Sequence, residues 1–239
     1  MNAYLASRFR FLLLVLVIFS VAACSTFDSQ VVRTQTHGKS IAVASTLGPD
    51  LGLTWIGTTI VNAELGRIPV TTWNIDELAT RTASSALQAT RRYAAVTEFS
   101  GIYRIGNKIP RLPEGSQADF LLLLQPLNAG DPIYNSDLSL TGMGVAQRTF
   151  LGMEAPTYAH VGVTGELFDM AAVKSMGAIS KFYYWKIPVK LKSGGSPKEF
   201  FGKRPVPKID DRDLNDLQQP FAMQLVNVVE KLVDDMALR

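Results

Sequence analysis

The sequence predicts an α+β fold, an α/β sandwich in which a mixed, largely antiparallel sheet carries a helix near residues 75–93 and a C-terminal helix packed on it. Three observations lead there. Ile75, Leu78, Ala79, Thr82, Ala86, Ala89 and Tyr93 recur at helical spacing between short apolar runs that end in turn residues. From Gly144 to Lys192 apolar and polar residues alternate, the pattern of antiparallel strands with one covered face. After Pro220, the residues Phe221, Leu225, Val228, Val229, Leu232 and Met236 form one apolar stripe, so this last helix has a face to bury.

Taken in order, residues 24–38 are polar and aperiodic and read as a flexible tether, with a single domain following over 39–239. The run from Lys39 to Ser45, closed by Leu47, Gly48 and Pro49, predicts a buried strand and a turn. Trp55 to Asn62 and Arg67 to Trp73 flank Ala63 to Gly66 as the arms of a hairpin. Asn74 stands three residues before Glu77, the spacing of a reciprocal cap, so the first long helix should open at Ile75. Arg91 and Arg92 fall where positive charge suits its C-terminal dipole. Ala94 to Phe99 then leaves as a strand, and Asn107 to Gly115, with Pro110 and Pro113, is a loop.

Ala118 to Gln125 is the most apolar short run beyond the leader, which predicts a central strand buried on both faces and stopped by Pro126. In the alternating stretch, Val161, Val163 and Leu167 face one way and His160, Thr164, Glu166 and Phe168 the other. Turns are expected near Ala155 and Pro156 and from Met170 to Lys174, and the stretch Ser193 to Pro197 breaks the sheet. Pro220 suits the first turn of the final helix.

The opening residues carry a different message. Met1 to Arg10 holds Arg8 and Arg10 and no acid, Phe11 to Phe19 is apolar but short for a membrane span, and Val21, Ala22, Ala23 and Cys24 follow. This segment resembles the signal peptide and lipobox of bacterial lipoproteins, with residues 1–23 as the leader. The resemblance implies cleavage before Cys24, acyl chains on that cysteine, and a membrane as the first partner through the lipid anchor. Cys24 is the only cysteine, as suits a lipid acceptor in an oxidising compartment. Ser25 stands where an inner-membrane lipoprotein would carry Asp, so the periplasmic face of the outer membrane is expected, with the inner membrane as the alternative.

Loss of the leader removes two arginines and no acid, which brings a formal charge of +3 close to neutral. A near-neutral chain argues against nucleic acid as a partner. The order of elements is similar, at a coarse level, to the periplasmic domains of the curli-secretion lipoprotein and of the Tol-system translocation protein. Val161 to Asp169 matches a strand of the first group, although Met170 to Lys174 lacks its Thr-Gly turn.

Chemistry is sparse. There is no G-x-S-x-G elbow and no Ser-x-x-Lys pair for a serine nucleophile. His37 lies in the expected tether and His160 on a strand, where a half-buried strand residue explains it better than a metal ligand. Gly142 and Gly144 begin a dinucleotide-type pattern, but Gln147 replaces its third glycine and no helix follows. Asp210, Asp211, Asp213 and Asp216 lack the glycine and glutamate of a calcium loop and read as acids opening a helix.

No cofactor and no metal is therefore expected. The aromatic run Phe182 to Trp185 places Phe182 and Tyr184 on one face and Tyr183 and Trp185 on the other; Trp55, Tyr183 and Trp185 are the candidates for a binding surface. The reading is a non-enzymatic envelope lipoprotein that associates with itself or with another envelope protein. The alternatives are a hydrolase of envelope polymers using carboxylates such as Asp50, Asp76, Glu77 or Glu166, and a small-ligand carrier with an apolar cavity beneath the meander.

Overall fold

A computed structural model describes residues 27–58, 63–100, 110–151, 153–194 and 206–239. The expected leader and Cys24 lie outside the described residues, as does the far end of the expected first hairpin arm. Among the described residues three α-helices stand against a nine-stranded mixed sheet, the architecture the sequence predicts. The helices are α1 (Ser29–Thr36), α2 (Ile75–Ala89) and α3 (Asp211–Asp235). The strands are β1 (Ser40–Ser45), β2 (Asp50–Ile56), β3 (Glu64–Pro69), β4 (Ala95–Phe99) and β5 (Phe120–Pro126), then β6 (Asn128–Gly130) and β7 (Ser139–Thr141), which pair only with each other. β8 (Met143–Phe150), β9 (Met153–Glu154), β10 (Thr157–Asp169) and β11 (Lys174–Ile187) complete the set.

The spine of the sheet is β10. Along one edge it pairs with β11 over its whole length; along the other it pairs first with β8, at Tyr158 to Val161, and then with β5, at Val163 to Asp169. One half-sheet runs outward from β5 through β1 to β4, all parallel, and the other from β8 through the parallel β2 to the antiparallel β3. β1 and β2 therefore point the same way, and the chain steps from one half to the other at residues 46–49. β5 and β8 make the same step with the β6–β7 hairpin as the detour. At this seam the backbone stays paired: Gly162 N–H donates to the Gly142 carbonyl at 2.8 Å, and Leu127 N–H to the Gly162 carbonyl at 3.1 Å.

α2 and α3 cover one face of the sheet. The main core joins Val161, Val163 and Leu167 of β10 to Ala79, Ala83 and Leu87 of α2 and to Phe221, Leu225, Val229 and Leu232 of α3. α3 comes this close because Gly165 has no side chain; a Cβ there would meet Leu232 Cδ2 at 2.3 Å. β5 is buried on both faces as its composition demands, with Leu122 and Leu124 in the main core and Leu121 and Leu123 in a smaller one with Ala42, Ala44 and Phe168.

Four local expectations are corrected. Within the expected tether, residues 29–36 form α1, capped by the Asp28 carboxylate, which accepts from Gln30 and Val31 N–H at 3.0 and 3.1 Å, with Val32 buried. Two buried positions, Val32 and Thr36, are too few to register as periodicity. The reciprocal cap at Asn74 does not form, because Asn74 sits in the left-handed region with φ 49° and its side chain makes no cap bond. α2 also ends at Ala89 rather than residue 93, where Arg91 turns to φ 56°. Finally, α3 starts at Asp211 and holds Pro220 inside it. The carbonyl that Pro220 leaves without a partner is that of Asp216, a residue exposed to water, which makes the interruption tolerable.

Candidate functional site

Two features of the sheet stand out as surfaces for recognition. The first is the outer edge of β11: β10 occupies one side of this 14-residue strand, and no strand among the described residues occupies the other. Such an edge presents backbone N–H and carbonyl groups in a row. Lys174, Lys181 and Lys186 lie along it; Lys181 pairs with Asp235 of α3.

The aromatic run sits on this strand, and its two faces have different neighbours. On the helix face, Trp185 packs edge-on against Phe221 at 5.1 Å, and Phe221 against Trp73 at 5.5 Å, so Trp185 belongs largely to the core. Tyr183 stacks on Trp185 at 6.0 Å and is 43 % exposed. Trp55 lies in the other half-sheet, opposite Glu64 and Gln147, and packs against the main core. The structure therefore joins Tyr183 to Trp185 and separates both from Trp55.

The second feature, which sequence reasoning missed, is a row of rings on the helix-free face. His160 stacks on Phe182 at 5.5 Å, Phe182 meets Tyr184 at 6.3 Å, Tyr184 meets Tyr158 at 5.7 Å and Tyr158 meets Tyr134 at 5.8 Å. Tyr184 is 42 % exposed. Alternation gives the Phe182 and Tyr184 pair, but Tyr158 and Tyr134 join it only through the pairing of β10 with β11 and the fold of the β6–β7 loop. The Tyr134 hydroxyl lies 3.1 Å from the Ala146 carbonyl and 2.5 Å from that of Pro156; burial pushes its pKa up. Asp131 shapes the same loop by accepting from Ile133 and Tyr134 N–H at 2.9 and 3.0 Å and from the Ser136 hydroxyl at 2.6 Å.

His160 is not half-buried but 2 % exposed. Burial lowers its pKa to about 4, against the raising effect of its contact with the Gly142 carbonyl, so the ring is neutral at pH 7. His37 is exposed, beside Arg33 and Arg92.

The carboxylates fall into separate places. Asp76 and Glu77 share a cleft of about 600 Å³ with Glu98, beyond the ends of β1 and β4. Asp76 is committed to structure there: it accepts from the Ser45 hydroxyl at 2.6 Å and from Leu47 N–H at 2.7 Å, which ties the β1–β2 turn to the start of α2. Glu77 pairs with Arg81 along the helix at 3.2 Å. Asp50 lies at a different cleft, and Glu166 accepts from Gln125 on the sheet face. Asp210 binds Lys192, whose pKa it raises, while Asp211 and Asp213 occupy the first turn of α3 as dipole partners. Among the described residues no three metal-ligating side chains gather, and no helix is long and apolar enough to cross a membrane. Gly142 turns with φ 61° between β7 and β8, and Gly144 lies within β8, so this glycine pair opens a strand rather than a phosphate-binding helix.

Fold and surface together define a mixed α/β protein with an aromatic sheet face and an edge strand, β11, that no other described strand pairs on its outer side. No protein-family model matches the chain, and no curated protein matches it. Solved structures similar to it include the following three. Protein XCC0632 from Xanthomonas campestris, of family DUF330, is 11 % identical with a TM-score of 0.38, over 83 % of this chain and 84 % of that one. A PelC dodecamer from Paraburkholderia phytofirmans is 11 % identical with a TM-score of 0.35, over 84 % and 88 %. The protein CT253 from Chlamydia trachomatis is 12 % identical with a TM-score of 0.31, over 83 % and 95 %. At these values none of them bears on what this chain does.

Proposed function

We propose that this chain is a lipid-anchored envelope protein that acts by association and not by catalysis, adding a strand of another envelope protein or of a second copy to the open edge of β11. The observation that carries the reading is the edge itself: 14 residues of strand, with Tyr183 and Tyr184 exposed on its two faces. Strand addition would take its affinity from main-chain hydrogen bonds and its selectivity from side chains on alternate faces, and the two tyrosines are the anchors such a contact uses. Lys174 and Lys186 along the strand favour a partner segment that carries acids.

The anchor is Cys24. Only Ser25, Thr26 and Phe27 separate it from the cap residue Asp28, an extended reach of at most about 14 Å. A protein cut and lipidated there would hold α1, and the sheet behind it, close to the membrane surface.

The test is in-cell photocrosslinking from position 180 on β11 and, as a control, from position 231 on the exposed side of α3, followed by the native mass of the detergent-extracted protein. A discrete crosslinked species from 180 and not from 231, lost when Tyr183 and Tyr184 are replaced by Ser, is the expected result. A monomer with no species specific to 180 refutes the reading. Retention of the protein in the aqueous phase, with no lipid mass on Cys24, refutes the anchor separately.

A further inference from the structure

The seam between the half-sheets holds a cleft of about 340 Å³ on the helix-free face, within the size range of small-ligand pockets. Its depth comes from glycine. Gly52 of β2 and Gly144 of β8 are register partners, and His160 of β10 lies opposite Gly144 on its other side. A Cβ on Gly144 would stand 2.6 Å from His160 Nε2 and 2.8 Å from the Gly52 carbonyl, so the imidazole and that carbonyl face each other across the space the absent side chain leaves.

The ring is fixed on both counts that matter. It stacks on Phe182 with 19° between planes, and its Nδ1 lies 3.2 Å from the Gly142 carbonyl. A carbonyl can only accept, so Nδ1 carries the proton and Nε2 is left as a bare acceptor. Nε2 has no hydrogen-bond partner among the described residues, in a side chain that is 2 % exposed and forms a wall of the cleft. Nε2 is not among the fully buried polar atoms that lack a partner, which among the described residues are Ser84 Oγ and Arg148 Nε; it opens on the cleft, where a ligand's hydroxyl can reach it.

The rest of the wall narrows the ligand. Thr54 and Ser139 contribute hydroxyls, which donate or accept; Asp50 and Arg67 stand at the cleft with opposite charges, so neither an anion nor a cation is favoured. We propose that the seam cleft is a binding site for a small, neutral, hydroxyl-rich ligand the size of one sugar unit, which donates a hydroxyl proton to His160 Nε2 and shares hydrogen bonds with Thr54 and Ser139. This site is separate from the β11 edge and does not depend on that edge having a partner.

The chain has two histidines, so the full-length protein with labelled histidine shows two ring signals, from His37 and His160. Glucose, galactose and N-acetylglucosamine are titrated at about 1–50 mM, the range that a few hydroxyl contacts support. The expected result is a saturable shift of the His160 signal with at least one sugar while His37 stays still. Calorimetry should then show a dissociation constant at least tenfold weaker in His160→Asn, whose amide keeps a donor for Gly142 but removes the Nε2 acceptor. Thr54→Val and Ser139→Ala delete single hydroxyls and should each weaken binding about threefold to tenfold; they carry the test if His160→Asn does not fold. No shift with any of the three sugars, or equal affinity in Thr54→Val and Ser139→Ala, overturns the proposal.

Discussion

Replacing Gly165 by Ala probes the contact that docks α3 on the sheet. The added Cβ would lie 2.3 Å from Leu232 Cδ2 and 3.1 Å from Met236 Sδ, whereas carbon atoms in contact sit about 3.5–4.0 Å apart. About 1.2–1.7 Å must therefore be recovered, either through an off-rotamer Leu232 or by lifting α3 from β10. Overpacking of this kind costs about 1–3 kcal/mol, against which the lower backbone freedom of alanine in the unfolded chain returns about 0.5–1 kcal/mol. A net loss of about 1–2 kcal/mol is expected. Leu232→Ala alone, at a fully buried position, should lose about 2–5 kcal/mol. The pair should lose less than the sum by about 1–2 kcal/mol, because the methyl group at 165 then enters space that Leu232 vacated. Urea unfolding of the chain from residue 27 onward, followed by circular dichroism, measures all four corners of the cycle. A Gly165→Ala loss below about 0.5 kcal/mol, or additive losses within that error, would refute the close approach.

The remaining predictions concern charge and capping. His160 has a folded pKa of about 4, below its unfolded value of 6.5, so between those values the unfolded chain binds the extra proton. Its neutral burial therefore contributes fully above pH 6.5 and is lost as pH falls toward 4, by about 3 kcal/mol in all; urea midpoints of the native protein should fall over that window by more than those of His160→Asn, and parallel curves would count against it. Asp76→Ala removes the acceptor for Ser45 and for Leu47 N–H, and a loss of about 2–3 kcal/mol is expected from the same unfolding assay. Asp28→Ala should free the first turn of α1 for about 1 kcal/mol, visible as faster amide exchange at Gln30 and Val31 with the sheet unchanged. Phe221→Ala should cost about 3–5 kcal/mol and shift tryptophan emission, since Trp73 and Trp185 both rest on that ring; an unchanged spectrum would contradict the packing.

Much of the fold is legible in short segments because period and burial are coupled locally. The alternation of Val161, Val163 and Leu167 against His160, Thr164, Glu166 and Phe168 separates the helix face from the open face of β10. The apolar run at residues 120–124 is buried throughout, and the stripe on α3 meets the sheet. Element ends are read less well where the deciding partner is distant. Asn74 and Glu77 look like a cap, but the carboxylate that organises the start of α2 is Asp76, which binds Leu47 N–H, 29 residues earlier in the sequence. Pro220 looks like a helix start because sequence shows its missing donor but not that Asp216 faces water.

The surfaces divide in the same way. Composition and patterning determine the α+β order of elements and the aromatic strand, and they carry the expectation of a leader ahead of the lone Cys24. Those properties depend on residue type and near spacing, which a linear sequence records. Which strand is left at the edge, which of Tyr183 and Trp185 meets solvent, and whether His160 turns a bare nitrogen into a cleft depend on register and strand order. Among the described residues β11 pairs on one side alone, with β10, and His160 reaches the seam because Gly52 and Gly144 fall in one row across three strands. Pairings between residues far apart in the chain decide both, and no local pattern encodes them.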